Sequence, residues 1–275
     1  EVLVTGKYRV DVPHTYKILL KGKLPKGVFS KDIMFYLIKL LGKDGAKGKS
    51  IEFSGETIDR LSLDARFTIT NMSESLGAKC ALIAPDKKVI DYIKKIGVKK
   101  YQLIYPDKDC YYEKIIEFDV SKLRPYISKP QIKDNVCFID EVKNIKIDQA
   151  FIGTCSNGRL EDLKISADIL KGKQIHKGVR FLVAPASHNI FLEALQKGII
   201  KVLIEAGALI LPPGCGPCVG SHQGIPADGD VVISTSNNNS KGIMGNDLSS
   251  VYLASPATVT ASAIKGAISD PQKYF

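Results

Sequence analysis

With 275 residues and 44% hydrophobic content the chain can bury two domain cores, yet no apolar run approaches the roughly twenty residues that span a bilayer. Six cysteines without small-scaffold spacing argue against a disulfide framework, and no signal-peptide pattern opens the chain, so the composition agrees with a soluble, cytoplasmic enzyme. The formal charge of +10 is carried mostly by residues 1–126, with 24 Lys+Arg against 16 Asp+Glu; acids interrupt the lysines and no aromatic ladder or nucleic-acid motif accompanies them, so solvated faces or an acidic partner subunit account for them and nucleic-acid binding is not expected.

In chain order, 16–20 reads as a strand, and Ser30 then caps a helix carrying Ile33, Leu37, Leu40 and Leu41 at helical spacing. A short strand is expected over 51–53, a helix over 61–76 with Met72 inward, a strand over 81–84, a helix over 88–95 and a strand over 111–120. Residues 121–134, which contain Pro125 and Pro130, read as the connection between two α/β domains, 1–126 and 127–275. The second half then alternates: strands over 149–152, 180–183, 208–211 and 231–234, helices over 159–170, 189–197, 200–206 and 258–267. That rhythm predicts a parallel sheet wound on both faces by helices.

Three cysteines stand in two unlike settings. Cys155 lies in Phe151-Ile-Gly-Thr-Cys-Ser-Asn157, where a strand hands over to a helix for which Ser156 and Asn157 are good N-caps. Cys215 and Cys218 lie in Pro212-Pro-Gly-Cys-Gly-Pro-Cys-Val-Gly220, where two intervening residues turn both thiolates to one side and the glycines permit a tight loop. Cys155, Cys215 and Asn237 each follow a strand, and crevices in open α/β sheets form outside the carboxyl ends of strands. Soft thiolates gathered there favour Zn, Cu(I) or iron–sulfur iron. Three thiolates on a cubane cluster leave one iron open as a Lewis acid. The competing set is a structural zinc on Cys215, Cys218 and His222, with or without Cys155. Cys80, Cys110 and Cys137 read as buried small hydrophobes.

These stretches, with Val232-Ile-Ser-Thr-Ser-Asn237, Glu52-Phe-Ser-Gly-Glu56, Arg66-Phe-Thr-Ile-Thr-Asn-Met72 and Tyr252-Leu-Ala-Ser-Pro256, resemble signature blocks of the aconitase superfamily, in particular of its isopropylmalate isomerase and homoaconitase large subunits. The resemblance implies two aconitase-type α/β domains and a [4Fe-4S] cluster on Cys155, Cys215 and Cys218. It also implies a hydro-lyase that isomerises a hydroxy-carboxylic acid by dehydration and rehydration, in leucine or a related amino-acid biosynthesis. By the same likeness Glu52 is the active-site glutamate near the iron-bound hydroxyl, and Asn157 and Asn237 hydrogen-bond around the cluster.

Two departures matter. Where the family carries two carboxylate-binding arginines, this chain has Asn238 and Ile243, which cannot supply the guanidinium fork; Lys241 offers only a point charge. The opening Thr5-Gly-Lys-Tyr-Arg-Val-Asp-Val-Pro13 resembles a stretch inside the family's large subunit, so an N-terminal part bearing aspartate and histidine site residues is expected to be missing. The swivelling domain with the catalytic serine is expected on a separate small subunit, leaving this chain inactive alone. The rival reading is an inactive aconitase-like protein that senses iron or associates with RNA.

Other features are discounted. Gly48-Lys-Ser50 lacks the earlier glycine of a phosphate loop, His14, His176 and His188 are isolated, and His222 is expected to make a loop hydrogen bond.

Overall fold

The structure, a computed structural model, describes residues 1–132 and 134–275. The first part runs α1 (Val2–Thr5), β1 (Thr15–Lys21), α2 (Ser30–Leu41), β2 (Ser50–Ser54), α3 (Glu56–Arg60), α4 (Leu63–Met72), β3 (Cys80–Ile83), α5 (Lys87–Lys95) and β4 (Lys114–Asp119). The second runs β5 (Tyr126–Ser128), β6 (Val136–Phe138), β7 (Gln149–Ile152), α6 (Thr154–Asn157), α7 (Leu160–Leu170), β8 (Arg180–Val183), α8 (His188–Gln196), α9 (Ile199–Glu205), β9 (Leu209–Ile210), β10 (Val231–Ser234), β11 (Ser250–Ala254) and α10 (Pro256–Lys265).

The strands form two sheets. One is four-stranded and parallel throughout, in the order β3-β2-β1-β4. The other is seven-stranded, in the order β6-β5-β11-β10-β7-β8-β9, with β11, β10, β7, β8 and β9 parallel and β5 and β6 antiparallel at one end. The α/β class expected from the rhythm of the second half holds, and an antiparallel edge pair is added to it. Part of that pair lies in the stretch read as a bare connection. Pro125 marked it as a breaker, but a proline just ahead of the first paired residue of a strand costs no ladder hydrogen bond.

Strand alternation decides what each face of the first sheet meets. Ile18, Leu20, Ile51 and Phe53 are buried in one cluster with Ile33, Met34 and Leu37 of α2 and Ile69 and Met72 of α4. Lys17 and Glu52, opposite one another in the register, point to the other face. The same cluster continues through Tyr126 and Val136 to Phe151, Val232 and Leu253, so α2 is packed between the two sheets. That position explains why Ser30, Lys31 and Asp32, at its start, are all buried.

Helix starts differ from the expected caps. Ser30 is already helical and Phe29 is the N-cap; the Phe29 N–H donates to Asp32 Oδ2 at 2.9 Å, a carboxylate doing the capping that the hydroxyl was expected to do. Ser156 and Asn157 do not cap α7 either. They belong to the single turn α6, and Arg159 is the N-cap, its N–H donating to Asp162 Oδ2 at 3.0 Å. The helix expected over 61–76 is split: Ser62 caps α4, accepting from the Ala65 N–H at 3.0 Å, and a 3-10 turn over Ser73–Leu76 closes it.

Candidate metal centre

Cys155, the Cys215–Cys218 loop and Asn237 all follow the carboxyl ends of β7, β9 and β10, parallel strands of one sheet, so the topology delivers them to one rim. At the end of β7, the Gly153 N–H donates to Thr235 Oγ1 at 3.0 Å and ties this corner to β10. A Cβ on Gly153 would stand 2.6 Å from the Phe151 ring and 2.9 Å from the Ala184 carbonyl, so the turn closes only on glycine. Thr154 has φ +76°, an uncommon value for a branched residue, and it swings Cys155 outward to the surface.

The second loop is equally constrained. Residues Gly216–Val219 form a 3-10 turn in which the Cys218 N–H donates to the Cys215 carbonyl at 3.1 Å. Gly220 has φ +66°, and a Cβ there would lie 2.4 Å from the Gly245 nitrogen, so this loop packs backbone to backbone against the one that follows Asn237.

The three sulfurs share one electrostatic neighbourhood. Burial pushes the Cys218 thiol up, the nearby Cys215 and Cys155 add to the rise, and Lys31 and the backbone N–H of Asn237 pull it back. Cys155 Sγ accepts from Asn71 Nδ2 at 3.3 Å. It also borders a cleft of about 760 Å³ shared with Asp64, Arg159 and Glu193, while Cys215 borders one of about 540 Å³ shared with His222. Among the described residues no three His, Cys, Asp or Glu side chains converge as the ligands of a single ion must. His222 is exposed.

Behind the sulfurs lies a buried polar network joining the two sheets. Lys31 Nζ donates to Asn157 Oδ1 at 3.1 Å, to the Thr235 carbonyl at 2.9 Å and to Asn237 Oδ1 at 3.3 Å. Asn157 Nδ2 donates to Asp162 Oδ1 at 2.9 Å and to Thr68 Oγ1 at 3.3 Å, so Asn157 bridges Lys31 to Asp162 and does not reach a sulfur through its side chain. Asn237 Oδ1 also accepts from Ser156 Oγ at 2.7 Å, and its Nδ2 donates to Asn71 Oδ1 at 2.5 Å. Burial drives the Lys31 ammonium down to about 8, with Asp162, Cys218 and Cys155 opposing, and drives the Asp162 carboxyl up to about 7.

Glu52 is not brought to this rim. It stands on the far face of the first sheet, 3.3 Å from Lys17 Nζ and accepting from Tyr112 Oη at 2.8 Å. Of the three cysteines expected to be buried, only Cys137 is; Cys80 and Cys110 are exposed. Asn238 is folded into its own turn, accepting from Ser240 N and Oγ, and Ile243 packs against the core. His176 Nδ1 accepts from the Gly178 N–H, and His14 stands 3.9 Å from Glu113.

Sequence reasoning missed Lys31, Asn71 and Asp162. A lysine in the first turn of an otherwise apolar helix opposes the helix dipole, and that was the available signal for Lys31. Asn71 lies within one of the resembling stretches without having been given a role.

Comparison with known proteins bears on the whole chain. The family profile described as Aconitase family (aconitate hydratase) matches residues 1–266. The 3-isopropylmalate dehydratase large subunit 2 of Archaeoglobus fulgidus is 48% identical over 274 residues, 99% of this chain and 66% of that protein. Large subunit 1 of the same enzyme from Methanopyrus kandleri is 45% identical, and that from Thermotoga maritima 47% identical. The chain spans about two thirds of the length of these curated relatives, 66%, 66% and 65% in turn. Among solved structures, the holo form of Thermococcus kodakaraensis aconitase X aligns with 83% of this chain and 50% of its own at 15% identity and a TM-score of 0.45. With a family profile matched along nearly its entire length, the chain belongs to the aconitase family.

Proposed function

We propose that this chain is the cluster-bearing part of a hydro-lyase large subunit, holding a [4Fe-4S] cluster on Cys155, Cys215 and Cys218. The observation that carries the reading is the delivery of Cys155, from the end of β7, to the same sheet rim as the Cys215–Cys218 loop, with an N–H donor from Asn71 on the Cys155 sulfur. Three soft thiolates at one rim are the donor type that iron–sulfur iron takes. When bound, the cluster supplies an open iron as Lewis acid for the hydroxyl and a carboxylate of the substrate.

The chain's own residues do the rest. Asn71 places an N–H group on the Cys155 sulfur and stabilises its negative charge, and the Asn237 backbone favours the thiolate of Cys218. The cleft beside Cys155 gives a hydroxy-dicarboxylate room at the rim, and Arg159, the N-cap of α7 with its guanidinium 4.0 Å over the Phe67 ring, lines it together with Lys95. Glu52 has no part in this arrangement as the structure stands. A small subunit with a swivelling domain is the expected partner, the cytoplasm the expected location, and a substrate of the 3-isopropylmalate or homocitrate/homoaconitate type the expected class, in keeping with the relatives named as 3-isopropylmalate dehydratase large subunits. In this reading residues 1–126 and 127–275 are the chain's two α/β domains. Assay of the large-subunit protein containing this chain, with its small subunit, against isopropylmalate, homocitrate and citrate tests it: dehydration of one of the first two supports the reading, and no turnover of any by a cluster-loaded complex contradicts it.

One observation favours a second reading, a cluster-holding protein without turnover. Asn238 bonds only within its own turn and Ile243 is packed into the core, so neither position offers a cation to a carboxylate.

A further inference from the structure

Lys31 is 0% exposed, and its three oxygen acceptors come from segments more than a hundred residues away in sequence. Burying an ammonium is costly unless it is paired and hydrogen-bonded. Its pairing here has a direction. An ammonium can only donate, so the Asn237 amide must turn its oxygen toward Lys31, which leaves its Nδ2 for Asn71 Oδ1. Asn71, held by its oxygen, must then present its own Nδ2 outward, and that group meets Cys155 Sγ. Lys31, Asn237, Asn71 and Cys155 thus form one chain of donors pointing the same way, in which each bond polarises the next. With Lys31 replaced by an apolar group, the Asn237 oxygen would keep Ser156 Oγ at 2.7 Å, but a hydroxyl can accept from a flipped amide as readily as it donates to an unflipped one, and a carbonyl oxygen facing a thiolate would repel it.

We infer that Lys31 is a positioning residue for the centre: it fixes the orientation of the Asn237 and Asn71 amides so that N–H groups face sulfur, and its charge offsets that of the thiolates. The inference rests on the cluster reading above and deepens it. Cys218 shares this field: Lys31 and the Asn237 backbone both hold its thiol below where burial alone would push it. The ammonium also faces Asp162 and Asp32, both burdened by burial, so it serves as the cation of the whole pocket. Donors and positive charge near a cluster favour its more negative, reduced form and raise its potential.

The test is an EPR-monitored redox titration of reconstituted protein. Lys31→Met is expected to shift the one-electron equilibrium about tenfold toward the oxidised form, about 59 mV to more negative potential. Asn71→Ala is expected to shift it the same way, and to add little in the Lys31→Met background, because the two lie on one relay. If Lys31→Met does not fold, Lys31→Gln is measured by the same criterion. A purely structural lysine would lower thermal stability without moving the potential. An unchanged potential in a folded, cluster-loaded variant, full additivity with Asn71→Ala, or loss of fold in both variants would overturn the inference. A wild-type protein that takes up no cluster would instead remove the functional reading, and the inference with it.

Discussion

Asn71 Nδ2 lies 3.3 Å from Cys155 Sγ, a contact between α4, packed on the first sheet, and a cysteine delivered by the second. The two halves of the molecule meet at a sulfur atom. Asn71 is exposed, so Asn71→Ala should change folding stability by no more than about 0.5 kcal/mol. It should nonetheless accelerate loss of a reconstituted cluster several-fold, as outer-layer changes do in metal sites, followed by the decay of visible absorbance in air. Wild-type decay would show that the contact does no chemical work.

The backbone contact between Gly220 and Gly245 holds the Cys218 loop against the loop that follows Asn237. Gly220→Ala combines a left-handed φ with a Cβ 2.4 Å from a backbone nitrogen that cannot swing away. A loss of about 1–3 kcal/mol is expected in denaturant unfolding, together with reduced iron uptake. Gly229→Ala, at a φ of +79° with no atom near its added Cβ, is the control and should cost less and leave iron uptake intact.

Stability should have a minimum near neutral pH. Burial pushes the Asp32 and Asp162 carboxyls up to about 7 from 3.8, so between those values the folded chain holds more protons than the unfolded one and stability falls as pH rises. Lys31, pushed down to about 8 from 10.5, acts oppositely: above pH 8 the unfolded chain holds more protons and stability rises with pH. Carboxylates held low by partners, such as Asp86 beside Arg66, act at lower pH than this window. Urea midpoints taken from pH 5 to 10 should therefore pass through a minimum near 7 to 8. Asp32→Asn should flatten the acidic limb and cost about 1–3 kcal/mol, because one of the Phe29 and Tyr126 N–H groups loses its acceptor.

How much of this was legible in the sequence depends on range. Cys155, Cys215 and Asn237 could be placed on one rim because each follows a strand whose pattern is local. The roles of Lys31 and Asn71 could not, since their partners lie 84 to 206 residues away and only packing brings them together. The far-face position of Glu52 was readable in the sequence. Ile51 and Phe53 flank it as buried residues, so period-two alternation sends Glu52 to the opposite face, where Lys17 neutralises it. The caps failed differently: Asp32 and Asp162 outcompeted the hydroxyl and amide beside them, because a carboxylate accepting a backbone N–H is the stronger partner.

Among the described residues Asn238 bonds to Ser240, two residues on. Asn238→Arg should then be tolerated to within about 1 kcal/mol. By restoring a guanidinium at the rim it should strengthen binding of a dicarboxylate by roughly tenfold, read by calorimetry on cluster-loaded protein. Unaltered affinity would place the carboxylate site elsewhere.

The most direct test of the central claim is the iron and sulfide content of anaerobically reconstituted single-cysteine variants. The wild-type chain should turn brown with about four irons per chain, and Cys155→Ser, Cys215→Ser and Cys218→Ser should each lose the intact cluster, while Cys80→Ser and Cys110→Ser keep it. A Cys155→Ser variant with the wild-type iron content and EPR spectrum would contradict the account.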